Sequence, residues 1–210
     1  MNQALDWPLV ETTFAVIDLE TSGGSPKSGA GITEIGVVKV RGGQVLGTFQ
    51  SFVDPGHQLP HFITELTGIT DAMLVSAPFI DEVLPTLFEF LGSPDETVLV
   101  AHNSPFDMSF LKAAALAHEY PWPNYLTIDT ARLARAVLDR DEVLNCKLGT
   151  LANFFGAQTS PNHRALDDAK ATVDVLHGII ERLSGHDVTT FEAMRNFPSR
   201  KKRVKRPIAD

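Results

Sequence analysis

Near the amino end of the chain the stretch FAVIDLET (residues 14–21) runs from four apolar residues with strand propensity straight into Asp18, and Glu20 follows two positions on. Residues i and i+2 of a strand point to the same face. Both carboxylates therefore project together, roughly 7 Å apart along the backbone at about 3.3 Å per residue. Like charges buried side by side are costly and drive protonation of one of them, unless a cation or a shared proton compensates. Two further places set acids or a histidine against apolar runs: Asp107 in AHNSPFDMSFL, and His163, Asp167 and Asp168 in HRALDDAKATVDVL.

Each of these has a structural alternative. Ser104 is a good N-cap, Pro105 a good first helical residue, and Asp107 falls three residues after the cap, so Asp107 reads as the partner in a capping box. Against that, TVLVA (97–101) has the composition of a strand, and helix starts at the carboxyl ends of strands are where α/β folds keep their sites. In the last helical pattern Leu166, Ala169, Val173, Leu176, Ile180 and Leu183 form an apolar stripe. At about 100° per residue Asp168 flanks that stripe beside Ala165 and Thr172, while Asp167 falls with Lys170, Asp174 and Glu181. Asp168 is thus the inward-leaning acid and Asp167 its solvated neighbour. His163 and Asp168 would diverge by about 140° on one helix. They converge only if His163 lies in the loop before it, which Pro161 and Asn162 favour; otherwise His163 is a surface or satisfied polar residue.

The elements that must position these groups follow from periodicity. Strand-like runs fall at about 11–19, 30–40 and 44–53, the last two joined by a turn at Arg41, Gly42 and Gly43, which reads as an antiparallel three-strand meander. A helical pattern at 77–92 carries Phe79, Val83, Leu87 and Phe90, with Pro85 as a kink or boundary. A strand at 97–101, a helix from Pro105 to about Ala117, a short strand at 125–128 and a helix after Asp129 make a βαβα run. The final helix is expected from about 163 to 184. The fold class is α/β, a mixed sheet with helices packed on it. Weaker candidates drop out: Pro60 separates His57 from His61, against a helical zinc pair, and GGSPKSGAG (23–31) lacks the glycine a phosphate loop needs before Lys27. The acid pairs at 81–82, 95–96 and 141–142 are assigned to solvent.

Composition bounds the class. With 210 residues, 43% hydrophobic and 21% charged, one ordinary domain plus a tail is expected. The single cysteine, Cys146, excludes a disulfide framework or a multi-cysteine metal cage within one chain. No apolar run approaches a membrane span and the amino end has no signal-peptide pattern, so a cytoplasmic location and no membrane partner are expected. The net charge of −8 is split: residues 195–210 hold seven basic residues and one acidic one, leaving 11 basic against 25 acidic in residues 1–194, a balance of −14. Six of those cations, Arg200, Lys201, Lys202, Arg203, Lys205 and Arg206, fall within seven residues and read as a segment outside the core. An acidic body that handles nucleic acid must do so through local chemistry such as metals.

In this order, VIDLETSG, VAHNSPFDMSFL and HRALDDAKAT resemble the DEDDh branch of the DEDD 3′→5′ exonucleases, most closely the epsilon proofreading subunit of bacterial DNA polymerase III. LTGITDAML (66–74) and KLGTLANFFG (147–156) are similar to that family's connecting segments, so the resemblance spans about residues 11–184. It implies a ribonuclease H-like fold with a five-stranded mixed sheet, an exonuclease domain over 1–185 and a basic tail or linker over 186–210. It also implies a site: Asp18, Glu20 and Asp168 would hold a first divalent cation, Asp18 would reach a second, and Asp107 would be held to that one through water. Hard oxygen ligands point to Mg2+ or Mn2+. His163 would be the general base; the backbone around Leu19 to Thr21 would contact the terminal nucleotide, and Phe106 would line the site. The implied substrate is a single-stranded or frayed DNA 3′ end, with a polymerase or repair protein as partner. The tail is similar to the linker before a GIY-YIG endonuclease domain in bacterial exonuclease–UvrC-like fusions. Alternatives are the exonuclease part of such a fusion, an RNA-directed relative, and a catalytically silent docking module. The last has no physical need to keep mutually repelling acids and a base together.

Overall fold

A computed structural model describes residues 7–139 and 141–198. The basic run at 200–206 lies outside the described residues. β1 (Thr13–Thr21) is the central strand of a five-stranded sheet ordered β3-β2-β1-β4-β5. β2 (Ile32–Arg41) and β3 (Gln44–Phe52) add to it antiparallel on one side; β4 (Thr97–Ala101) and β5 (Thr127–Asp129) add parallel on the other. This is the expected mixed sheet, with the meander first and the parallel strands after.

The central strands are apolar on both faces, as strands covered on both sides must be. Phe14 and Val16 of β1, Val38 and Val40 of β2 and Val98 and Val100 of β4 face one core. Ala15, Ile17 and Leu19, Ile35 and Val37, and Leu99 and Ala101 face the other. The first core is closed by α5 (Thr130–Val137), α6 (Leu148–Phe155) and the 20-residue α7 (Ala165–Ser184), whose Ala169, Val173, Leu176, Ile179 and Leu183 are buried. The second is closed by α3 (Ile80–Leu91) and α4 (Ser104–Ala117). A satellite cluster of Leu59, Ile63, Ile69 and Leu74 sits under α1 (His61–Thr67) and α2 (Asp71–Leu74). Each buried Leu, Ile or Val contributes about 1.5–3 kcal/mol relative to exposure.

Several boundaries differ from the sequence-based expectation. β1 begins two residues later than expected and runs on to Thr21, because Leu19 and Glu20 continue the ladder opposite Ile35 and Glu34. Pro85 sits inside α3; its missing N–H would have bonded the Asp81 carbonyl, and the Tyr120 hydroxyl donates there instead at 3.4 Å. α7 begins at Ala165, two residues later than expected, leaving His163 in the preceding loop. Beyond the division expected at residue 185, α8 (Phe191–Arg195) buries Phe191 and Met194 in the first core. The amino end locks it there, since Phe191 N–H donates to the Trp7 carbonyl and Leu9 N–H to the Thr189 carbonyl, both at 2.9 Å. The packed body therefore runs past 185. Among the described residues no helix is long and apolar enough to cross a membrane.

Candidate active site

Strand alternation carries Asp18 and Glu20 onto the same face as Phe14 and Val16, the face on which α7 lies. A register shift follows Glu20 at the end of the strand, a common way to end pairing beside a site. There the start of α7 brings Asp168 and the loop residue His163 to Glu20: one ligand atom from each of Glu20, His163 and Asp168 lies within 4.8 Å of the others. Glu20 and Asp168 are buried and His163 is exposed. His163 has φ 60°, the left-handed region that costs a non-glycine residue roughly 1–3 kcal/mol. That turn lets His163 and Asp168 converge, as the loop placement required. Asn162 N–H donates to Asp168 Oδ1 at 2.9 Å, fixing the carboxylate. Asp167 turns away to Lys170 at 3.1 Å and the Asn162 side chain at 3.1 Å.

Asp107 arrives from the other side of β1. It is buried on the first turn of α4, and β4, which pairs with β1 as far as Val16, has ended at Ala101. Its carboxyl lies beside the Leu19 backbone, which favours its ionised form. The capping-box alternative is therefore corrected: Asn103, with φ 73°, is the N-cap and no side chain caps the helix.

Sequence reasoning missed what anchors this arrangement. Glu34 on β2 is fully buried directly opposite Glu20. It accepts from Arg164 Nε at 3.0 Å and Nη2 at 2.9 Å, from the Ala165 N–H at 3.1 Å and from Gln50 Nε2 at 2.8 Å. The fork ties β2 to the first residue of α7, hence to His163 and Asp168 on either side. Gly36 makes room for it, since a Cβ there would fall 2.3 Å from the Ala165 and Leu166 backbone. The available signal was a lone acid in the apolar alternation of ITEIGVV, at the same parity as Gly36.

The carboxylates strain one another. Burial, then Asp107, Asp168, Glu20 and Glu34, hold Asp18 well above the usual carboxylate range. Glu20 is pushed up to about 8 by burial and then by Asp168, Glu34 and Asp107, with Arg164 partly offsetting. Burial lifts Asp107 to about 7 against the opposing effect of the backbone beside it. Asp168 is raised by burial against the hydrogen bond from Asn162 and the His163 ring. Four acids that resist ionising together, with the nearby Arg164 guanidinium taken by Glu34, form a donor set that fits divalent cations: hard oxygens, concentrated charge and, among the described residues, no cationic side chain in the middle.

The remaining expectations are mixed. Phe106 is half-buried against Phe110, ring centroids 5.0 Å apart. The Leu19 side chain belongs to the second core and only its backbone meets the site. The Thr21 hydroxyl donates to the Gly23 carbonyl at 2.8 Å. His57 bonds Ser22 and His61 pairs with Glu65, so the two do not form a zinc pair. Of the acid pairs assigned to solvent, Glu82 closes the start of α3 on the Phe79 N–H and Glu142 pairs with Arg182 at 2.7 Å.

A family model described as RNase_T exonuclease matches residues 15–176, which includes every one of these acids and His163. A Mycobacterium tuberculosis protein named as a bifunctional exonuclease/endonuclease is 49% identical over 210 residues, 96% of this chain and 32% of that protein. A DNA polymerase III PolC-type protein of Caldanaerobacter subterraneus is 41% identical over 174 residues, 83% of this chain and 12% of the relative. The chain thus spans a third or less of the length of these relatives. Among solved structures, Exonuclease X in complex with 5′ overhanging duplex DNA superposes with a TM-score of 0.63 at 28% identity, covering 82% of this chain and 93% of that one. With its ribonuclease H-like sheet and its acids and His163 gathered at the carboxyl end of β1, this chain belongs to the RNase_T exonuclease family.

Proposed function

We propose that this domain removes nucleotides from the 3′ ends of DNA, single-stranded or frayed, with Asp18, Glu20, Asp107 and Asp168 holding two divalent cations, Mg2+ or Mn2+. The observation that carries the reading is the convergence of Glu20, His163 and Asp168 within 4.8 Å on the strand that also presents Asp18. Cations bound there would supply Lewis-acid polarisation of the phosphodiester and charge for the departing 3′-oxygen. His163, exposed on its left-handed turn, takes the proton of the attacking water on a ring nitrogen. Phe106 offers a half-exposed ring for the terminal base, while the backbone from Leu19 to Thr21 takes the terminal sugar.

DNA as substrate is supported by the duplex DNA held by Exonuclease X and by the polymerase named in the PolC-type relative. A cytoplasmic setting and a polymerase or repair-protein partner accord with those names. A second reading is favoured by the 49% identical bifunctional relative: the chain is the exonuclease part of an exonuclease/endonuclease repair protein, with the basic run at its carboxyl end as linker. End-labelled single-stranded DNA, duplex, mismatched duplex and RNA, digested over time with Mg2+, Mn2+ or chelator, test the proposal. Stepwise shortening from the 3′ end, abolished by chelator and faster on frayed than on paired ends, is expected. Intact substrates under every metal would leave a docking module.

A further inference from the structure

The acidic body has a second feature at the same end of the sheet. β5 ends at Asp129, whose Oδ1 accepts from the backbone of Asn103 and of Arg132, joining the start of α5 to the turn that leads into Asp107. Beside this junction a groove of about 720 Å³ is lined by Arg132, Arg135 and Lys147 together with Leu144, Asn145 and Cys146. Its far wall is tied to the end of β4, where His102 bonds the Cys146 carbonyl at 3.0 Å and the Thr130 hydroxyl at 2.9 Å. The Arg135 charge is felt at both His102 and Cys146.

The groove reverses the charge balance of the molecule: in a body of 11 cations against 25 acids, its described lining sets three cations, Arg132, Arg135 and Lys147, beside one acid, Asp139. Arg135 and Lys147 are exposed. Arg132 donates to the Arg195 carbonyl at 3.1 Å, so the groove meets the segment that precedes the six cations at 200–206. Cations gathered on a strongly acidic surface attract a polyanion locally.

We infer that this groove carries the sugar–phosphate backbone of the strand whose 3′ end enters the carboxylate site, Arg135 and Lys147 neutralising phosphates upstream of the reacting bond and Arg132 fixing the groove's edge. The inference rests on the proposed nuclease reading and adds where the strand runs. It also resolves a conflict of charge: a carboxylate site repels a polyanion, and cations one groove away offset that repulsion without sitting among the metal-holding acids.

The test uses the full chain with Asp18→Ala to block cleavage, alone or with Arg135→Gln and Lys147→Gln. Fluorescence anisotropy measures affinity for DNA and RNA oligonucleotides, short and long, over a salt series. Losing two phosphate contacts should flatten the log–log salt slope by about 1.4, at about 0.7 per phosphate for single strands. Between about 50 and 200 mM salt the parent's affinity should then fall about sevenfold more steeply than the variant's. The gain in affinity on lengthening the oligonucleotide should shrink likewise, for DNA and RNA alike if only the backbone is read. Lys39→Gln with Lys112→Gln, an equal charge loss elsewhere, should keep the parental slope. Equal flattening by that control, or an unchanged slope in the groove variant while the unblocked chain still degrades DNA, overturns the groove and leaves the nuclease reading standing. A chain that neither binds nor cleaves overturns both.

Discussion

On the face of β1 and β2 that meets α7, four cross-strand pairs stand in a row: Phe14 opposite Val40, Val16 opposite Val38, Asp18 opposite Gly36, and Glu20 opposite Glu34. The first two are core. The last two put three carboxylates and a gap in the same alternation, where like charges directly opposite destabilise a sheet. One helix covers both halves, packing its apolar stripe on the first and the Arg164 fork on the second. The apolar half holds the fold together whatever occupies the site. The polar half is held in place by the rest of the molecule, and its own charges oppose it until something positive enters.

The largest break should come from the acids. Asp18→Ala or Asp168→Ala should abolish cleavage of labelled DNA with the fold retained by circular dichroism; retained turnover would remove the carboxylates from the chemistry. Next, His163→Ala should lower turnover by about 10²–10⁴, the range for a positioned general base, with Mg2+ affinity kept. Because its ring atoms lie within 4.8 Å of Glu20 and Asp168, calorimetry showing lost Mg2+ binding would make His163 a ligand instead.

The anchor comes third. Arg164→Ala leaves Glu34, fully buried, without its main partner and should cost about 3–5 kcal/mol in denaturant unfolding. Turnover should also fall, because the turn carrying His163 is released. Leu176→Ala in the apolar half should cost a similar 2–5 kcal/mol, roughly the cavity range, while each folded molecule keeps parental turnover. If both variants lose turnover alike, the two halves are not separable. The smallest effect should be that of Asp167→Asn, a half-buried residue whose pairing with Lys170 contributes about 0–1 kcal/mol; damage comparable to that of Asp168→Ala would contradict the facing of α7.

Much of this was legible in the sequence because it rests on short-range periodicity. Alternation placed Asp18 with Glu20, the helical stripe separated Asp168 from Asp167, and the angle between positions 163 and 168 required a loop before α7, which the structure contains. The fork from Arg164 to Glu34 joins residues 130 positions apart, and no local pattern encodes which buried acid a given arginine will meet. α8 escaped for a related reason. Five residues are too few for a periodic signal, and its place is fixed by Trp7 and Leu9 at the other end of the chain. The capping box failed because the same spacing serves two purposes, and only the approach of the Leu19 backbone decides between them.

The central claim, that the polar half opposes folding until a cation enters, is tested most directly by melting the chain between about pH 4.5 and 8.5 in chelator and in Mg2+. Glu20 and Asp107, with ordinary values of 4.5 and 3.8, are raised to about 8 and about 7 in the fold. The folded state then holds protons that the unfolded chain has released. Their stabilisation is fully present below the unfolded values and is lost as pH rises through about 7 to 8. In chelator the melting temperature should therefore fall over that window. Mg2+ should remove most of the fall, and Asp18→Ala in chelator should melt no lower than the parent. A melting temperature in chelator that is flat across the window, with no response to Mg2+, would contradict the account.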